Sequence, residues 1–202
     1  MATVFDDILT RGALQAPKSI KASHTWYRNA ATKVNAAPAT LLWSDRNRLH
    51  KSPMLGNMYL FRYDPKGKET LPFYDTFPLI FPFASGRTTG RAGSGPTFFG
   101  LNFHYLPLRL RARLMDALYL TVTNAKMPQN QKMKISYSIL KSAAQFKYFK
   151  PCVKQYLFTH VRSDFFKVEP EEWDMALFLP LARFKKATNE QVYKDSIKRI
   201  KS

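Results

Sequence analysis

The amino-acid sequence predicts an α+β fold, in which a small, strongly bent antiparallel β-sheet lies between an N-terminal helical arm and C-terminal helices. Three observations carry that prediction. Short aromatic β-type segments cluster between residues 57 and 106, bounded by Pro and Gly turns. After Pro107 the apolar residues recur at the helical period instead. Before Gly56 the chain is polar and carries two capped helical patterns. The sequence thus divides into a helical arm, residues 1–56, and one α+β domain, residues 57–202, which is β-rich to 106 and mainly helical from 107. An SH3-like barrel is one form that such a bent sheet can take.

In the arm, Ser23 can cap a helix bearing Trp26, Tyr27, Ala30 and Val34 that ends before Pro38. Thr40 can cap a second, with Leu41, Leu42 and Leu49. Isolated helices of this length are marginal in water, so the arm must pack on the body or on a partner. Met58 to Tyr63 is β-rich and aromatic, and Asp64-Pro65-Lys66-Gly67 supplies a turn. Leu71 to Phe83 contains Pro72, Pro78 and Pro82, which argues against a regular central strand and leaves Phe77 to Phe81 to pair at an edge. Thr97 to Phe103 is a third β segment. Ala84 to Pro96, with four glycines, two arginines and no large side chain, reads as a mobile loop.

Beyond Pro107, Leu110, Leu114, Ala117, Leu118 and Thr121 share one helical face. A second helix is expected from Lys134 to Gln145. A third is expected to begin at Pro151, a favoured first-turn residue, with Val153, Tyr156 and Leu157 inward. Phe165 to Val168 reads as a strand. Pro170-Glu171-Glu172-Trp173 has the form of a helix start, and Thr188-Asn189-Glu190-Gln191 that of a capping box before a basic final helix.

With 202 residues the chain can bury a substantial core, and its 45% apolar content excludes a disordered basic tail. No apolar run reaches the roughly 18–20 residues that span a bilayer, and no secretory pattern opens the sequence. One cysteine, Cys152, rules out an internal disulfide and fits a reducing compartment. These features predict a soluble protein made in a cytoplasm.

The formal net charge is +18, and it is concentrated in the middle of the chain. Thr76 to Ser163 holds thirteen Arg and Lys against one acid, Asp116. A solvated helix face usually interleaves Glu with Lys, so a stretch without countercharge points to a polyanionic partner. The candidate contacts are Arg109, Arg111 and Arg113, then Lys126, Lys132, Lys134, Lys141, Lys147, Lys150 and Lys154. Lys134 and Lys141 share a helical face, and Lys150 and Lys154 are close enough to share one beyond Pro151. On DNA such lysines would contact phosphates, with steep salt dependence and little sequence preference. The aromatics from Tyr59 to Tyr105 could offer a stacking platform for bases, but filling a sheet core is the stronger reading.

Catalytic signatures are missing from the sequence. His24, His50, His104 and His160 lack metal-ligand spacing with Cys152, which reads as a buried, inert residue. The acids Asp64, Glu69, Asp75, Asp116 and Asp164 form no metal-nuclease motif. Glycines 86, 90, 93 and 95 are followed by neither Gly-Lys-Ser/Thr nor a helix start. No cofactor, metal or small-molecule substrate is expected, and the protein is read as non-enzymatic.

Three segments arrive in a telling order: Met58-Tyr59-Leu60-Phe61-Arg62-Tyr63-Asp64-Pro65-Lys66, Leu71-Pro72-Phe73-Tyr74-Asp75-Thr76-Phe77-Pro78-Leu79 and Gly100-Leu101-Asn102-Phe103-His104-Tyr105-Leu106-Pro107. With Pro151 to Leu157 and Trp173 to Phe184, they resemble a structural protein of T4-like contractile-tailed bacteriophages, the DNA end protector or head completion family. The resemblance spans about residues 57–195, with a looser match at Trp26-Tyr27-Arg28. It implies a virion protein, synthesised in the bacterial host cytoplasm, that binds the end of packaged linear double-stranded DNA near the portal and shields it without turnover. A rival reading makes the protein a neck, tail or baseplate adaptor whose basic surface meets acidic protein neighbours.

Overall fold

A computed structural model describes residues 45–88, 95–111 and 147–202. The first predicted arm helix, the second as far as residue 44, the helix at Lys134 to Gln145, and all of the helix after Pro107 except its first turn lie outside the described residues. The second arm helix does not continue to Leu49 as expected, because Arg46–Arg48 is a 3-10 turn and Leu49–His50 a strand paired with Phe165 and Phe166.

Six strands form one antiparallel sheet: β1 (Leu49–His50), β2 (Met58–Leu60), β4 (Leu79–Thr88), β5 (Gly95–Asn102), β6 (Val153–Leu157) and β7 (Phe165–Val168). Their spatial order is β1-β7-β2-β4-β5-β6, and β3 (Tyr74–Asp75) pairs separately with β8 (Phe184–Lys185). Helix α1 is Trp173–Phe178 and helix α2 is Asn189–Lys201. The architecture is therefore mixed helix and sheet, as the sequence predicts. Among the described residues the edge strands β1 and β6 do not pair with each other, so the sheet is open rather than a closed barrel.

Side chains alternate across β2, and both faces are buried. Met58 and Leu60 join one apolar cluster with Leu79, Phe81, Leu101, Phe166 and Val168, roofed by Trp173, Ala176, Leu177 and Phe178 of α1 and Val192 of α2. Tyr59 and Phe61 point the other way, into an aromatic cluster with Ile80, Phe98, Tyr156 and Phe165. Within it the Phe98 and Tyr156 rings stack 5.2 Å apart, and Phe61 meets Tyr156 edge-on at 5.3 Å. The aromatics of this region are mostly scaffold.

Three further expectations are corrected. Leu79 to Thr88 is a central ten-residue strand despite Pro82, because the register with β5 shifts between Pro82 and Ala84. A bulge there leaves no ladder donor missing, which is where a sheet tolerates proline. Opposite Pro82 lies Gly100, where an added Cβ would meet the Phe81 carbonyl oxygen at 3.3 Å. The expected Gly/Arg loop is correspondingly short at both ends: Ala84 to Thr88 and Gly95 to Pro96 are paired strand, and residues 89–94 lie outside the described residues. The segment from Pro151 is not a helix. A 3-10 turn, Lys147–Cys152, leads into strand β6, where Tyr156 pairs with Phe98 and Lys154 with Gly100.

The later elements match their local signals. Phe165–Val168 is a strand, the Glu169 capping box opens the turn before α1, and Thr188 caps α2 through the Gln191 amide. Cys152 is fully buried, donates to the Phe149 carbonyl at 3.0 Å, and is pushed up to about 12 by burial, which keeps it an unreactive thiol.

Candidate nucleic-acid interface

Four chain segments lie side by side beyond the end of β2. The Arg162 amide donates to the Arg62 carbonyl at 2.8 Å, the Tyr63 amide to the Thr76 carbonyl at 3.0 Å, and the Thr76 amide to the Arg183 carbonyl at 2.9 Å. An isolated bridge between Tyr63 and Val161 holds the same alignment. This ladder gathers Arg62, Arg162 and Arg183 around one cleft of about 290 Å³, with Thr76, Tyr63 and Phe77 as its remaining walls. Arg183 Nη1 donates to the Pro180 and Ala182 carbonyls, both at 3.1 Å, which orients its guanidinium. Asp64 is the nearby acid, 3.9 Å from Arg162 and also engaged by Lys68 at 3.1 Å.

Tyr63 also lines a second depression, of about 240 Å³, between the β3 region and β6. Its wall is aromatic, from Phe73, Tyr74, Tyr105 and Tyr156, and its cations are Lys154 and Arg199. The Lys154 ammonium sits 3.8 Å from the centre of the Tyr105 ring. Burial, then the Arg199 charge, pulls Lys154 down to about 8. Arg199 in turn lines a third depression with Lys150, Pro151 and Ser202. The three depressions thus share lining residues in sequence, through Arg199 and then Tyr63. Together they make one basic track: Lys150, Arg199, Lys154, then Arg62, Arg162 and Arg183.

Beneath the track lies a buried polar network centred on Asp75. Asp75, 3% exposed, accepts from the Phe77 amide at 3.0 Å, the Arg183 amide at 3.3 Å and Asn102 Nδ2 at 3.1 Å. His104 Nδ1 donates to it at 2.7 Å. Burial alone would raise the Asp75 pKa, but the His104 ring and these donors outweigh it and hold the carboxyl below its ordinary value. Burial likewise pulls His104 down, and its buried Nε2 has no hydrogen-bond partner, which suits a neutral ring better than a protonated one. Asn102 also donates to the Tyr156 hydroxyl at 3.0 Å, tying the network to the aromatic wall.

A family model described as Phage T4 terminal DNA protecting protein matches residues 18–198. The chain belongs to that family. No curated protein and no solved structure matches it. Family membership bears out the resemblance read from the three aromatic segments, and the match includes every residue of the track except Arg199 and Ser202 at its far end.

In this member of the family the candidate contacts separate. Lys150 and Lys154 line the track, and Arg109 is exposed on the helical turn after Pro107 without lining it. Arg111 is corrected from surface to interior. It is 2% exposed, and its guanidinium donates to the carbonyls of Leu106 at 2.8 Å, Leu177 at 2.7 Å and His104 at 3.1 Å, and to the Tyr193 hydroxyl at 2.9 Å. Four of its five N–H donors are engaged inside the protein, and the side chain is too buried to meet a phosphate. Lys147 opens the 3-10 turn before β6, and Arg113, Lys126, Lys132, Lys134 and Lys141 lie outside the described residues.

Sequence reasoning missed Arg62, Arg162, Arg183 and Arg199. The basic last turn of α2 was the one available signal, for Arg199. The acids considered for catalysis have other partners: Asp64 with Lys68, Asp75 with His104, and Asp164 with Lys51 at 2.9 Å. Among the described residues no group of three or more His, Cys, Asp or Glu could hold a metal ion.

Proposed function

We propose that the protein is a non-enzymatic virion component that binds an end of the packaged linear phage DNA and shields it from exonucleases. Phosphates of the duplex lie along the basic track, and one protein copy stays with one end, without turnover. The observation that carries this reading is the run of six cationic side chains through three connected depressions, in a chain of the terminal DNA-protecting family. Backbone neutralisation of this kind gives tight, sequence-tolerant binding that counterions compete away. A seat at the portal, as a head completion protein, is the position in the virion where such an end emerges.

The test is binding of linear duplex DNA at two salt concentrations. If all six side chains meet phosphates, affinity falls by about a thousandfold between roughly 50 and 200 mM salt. Exonuclease digestion of the same duplex is expected to stop when protein reaches one copy per end. Absence of binding even at low salt would overturn this reading and favour a neck, tail or baseplate adaptor docking acidic proteins.

A further inference from the structure

The middle depression differs from its neighbours in a way that phosphate binding alone leaves unexplained. It sets four aromatic side chains, Phe73, Tyr74, Tyr105 and Tyr156, beside two cations, whereas half of the lining of each flanking depression is cationic. The wall is held in place before anything binds. Phe73 and Tyr105 pack at 5.9 Å, Tyr105 meets Phe184 edge-on at 5.1 Å, and Asn102 fixes the Tyr156 hydroxyl. The turn forming one rim is tied down by Lys186, whose ammonium donates to the carbonyls of Lys68 at 2.7 Å, Glu69 at 2.8 Å and Leu71 at 3.3 Å. A preformed slot whose accessible aromatic surface comes from the half-buried Phe73 and Tyr74, with Tyr105 and Tyr156 buried behind them, is what a planar, unstacked base needs.

The cations add a second requirement. Lys154 is partly buried, and its contact is the Tyr105 ring face rather than a carboxylate. The nearby acid, Asp195, already holds Arg199 Nε at 2.7 Å. Arg199 and Lys154 therefore face the same depression as like charges, an arrangement unfavourable in the free protein and relieved by an anion between them. Asp75 also lines the depression, but its four donors screen its charge. The exposed Gln155 amide on the rim is available to a base edge.

Resting on the proposed DNA-end function, we propose that this depression receives the terminal nucleotide of a DNA strand, its base against the aromatic wall and its terminal phosphate between Lys154 and Arg199. A base inside a duplex is paired and stacked, so a single-nucleotide slot is filled most cheaply by a residue with a free end. The flanking depressions, Lys150 on one side and Arg62, Arg162 and Arg183 on the other, hold the adjoining backbone. The track supplies affinity for any DNA, and the slot supplies preference for an end.

The test compares three probes of equal length and at equal salt. One is a duplex with one unpaired terminal nucleotide carrying a 5′-phosphate, the second is the same duplex without that phosphate, and the third is a dumbbell closed by hairpins at both ends. The full-length protein is expected to bind the phosphorylated open end about tenfold more tightly than the dumbbell, with the unphosphorylated end between them. Lys154→Gln is expected to remove most of that preference, while dumbbell binding weakens only as far as the loss of one of six phosphate contacts requires, its salt slope falling by about 1. Arg199→Gln, on a more exposed side chain, makes the same comparison independently of any effect of Lys154→Gln on folding. Equal affinity of the wild-type protein for open and closed probes overturns the slot while leaving the DNA-binding reading in place. So does an equal loss on both probes in the folded variants. Failure to bind any of the three probes at low salt overturns the underlying function instead.

Discussion

Arg111 offers the sharpest separation between a structural and a binding role, because its charge suggested a phosphate contact and its burial says otherwise. Arg111→Met keeps the length of the side chain and removes four hydrogen bonds, three to backbone carbonyls of Leu106, His104 and Leu177 and one to Tyr193. Each is worth about 1 kcal/mol net, and more where a buried carbonyl loses its donor. Against this, the variant no longer desolvates a guanidinium, which recovers part of the loss. The balance is a destabilisation of about 3 kcal/mol, or about 6–12 °C in Tm for a chain of this size. Arg111→Lys should fall between the two, since an ammonium cannot span carbonyls from three segments as the planar fork does. The assay is urea unfolding alongside DNA affinity per folded molecule. Lowered stability with unchanged affinity is expected. Unchanged stability with lost affinity would refute the interior assignment and return Arg111 to the binding surface.

Three further outcomes follow from buried charge and close packing. Stability measured by urea midpoint should fall on acidification in two stages. The folded pKa of His104 lies below its ordinary 6.5, so the unfolded chain takes up a proton first and stability begins to drop below pH 6.5. The folded pKa of Asp75 lies below 3.8, so its contribution is present above that value and is lost as pH falls beneath it. His104→Asn should flatten the upper stage and also weaken the lower one, since the His104 ring is foremost among the groups that hold the Asp75 carboxyl down. Arg48→Met should cost about 3–5 kcal/mol in equilibrium unfolding, because it removes the guanidinium that is ion-paired with the buried Glu172 carboxylate. Gly100→Ala should cost about 1–3 kcal/mol in the same assay, since the new methyl group meets the Phe81 carbonyl and the Ile80 side chain inside a central ladder.

How far the sequence could be read depended on the range of each signal. Thr188 and Gln191 cap α2 through contacts three residues apart, and the Glu169-to-Trp173 start is similarly local, so both were legible. The apolar spacing of Val153, Tyr156 and Leu157 fits a helix equally well. Only its partner β5, more than fifty residues earlier, makes that segment a strand. Pro82 misled for a related reason, because the bulge that accommodates it exists only once β4 and β5 are paired. Charge pointed to a polyanionic partner but not to particular residues. Arg62 meets Ser163 across 101 positions, and Thr76 meets Arg183 across 107, so the cleft has no linear motif. Arg111 was misplaced because isolated alternation of Arg with apolar residues cannot distinguish a rim from an interior clamp.

A buried carboxylate directly under a basic track requires a reason, since it weakens the attraction of that track for phosphate. Position supplies one. Asp75 accepts from the amides of Phe77 and Arg183, which belong to the arginine-lined cleft, and from Asn102, which holds the Tyr156 hydroxyl beside the middle slot. One side chain therefore fixes the spacing between the two depressions that would have to engage neighbouring parts of a DNA end. Its negative charge is spread over four donors and sits on the protein side of the lining, so the loss in phosphate attraction is small beside the gain in preorganisation. On strand β6, Lys154 and Tyr156 are two residues apart and share one face, so both line the slot while the Tyr156 ring also packs into the aromatic cluster. Under the proposed DNA-end reading, scaffold and contact surface are thus built from the same strand, so the slot needs no rearrangement to receive its nucleotide.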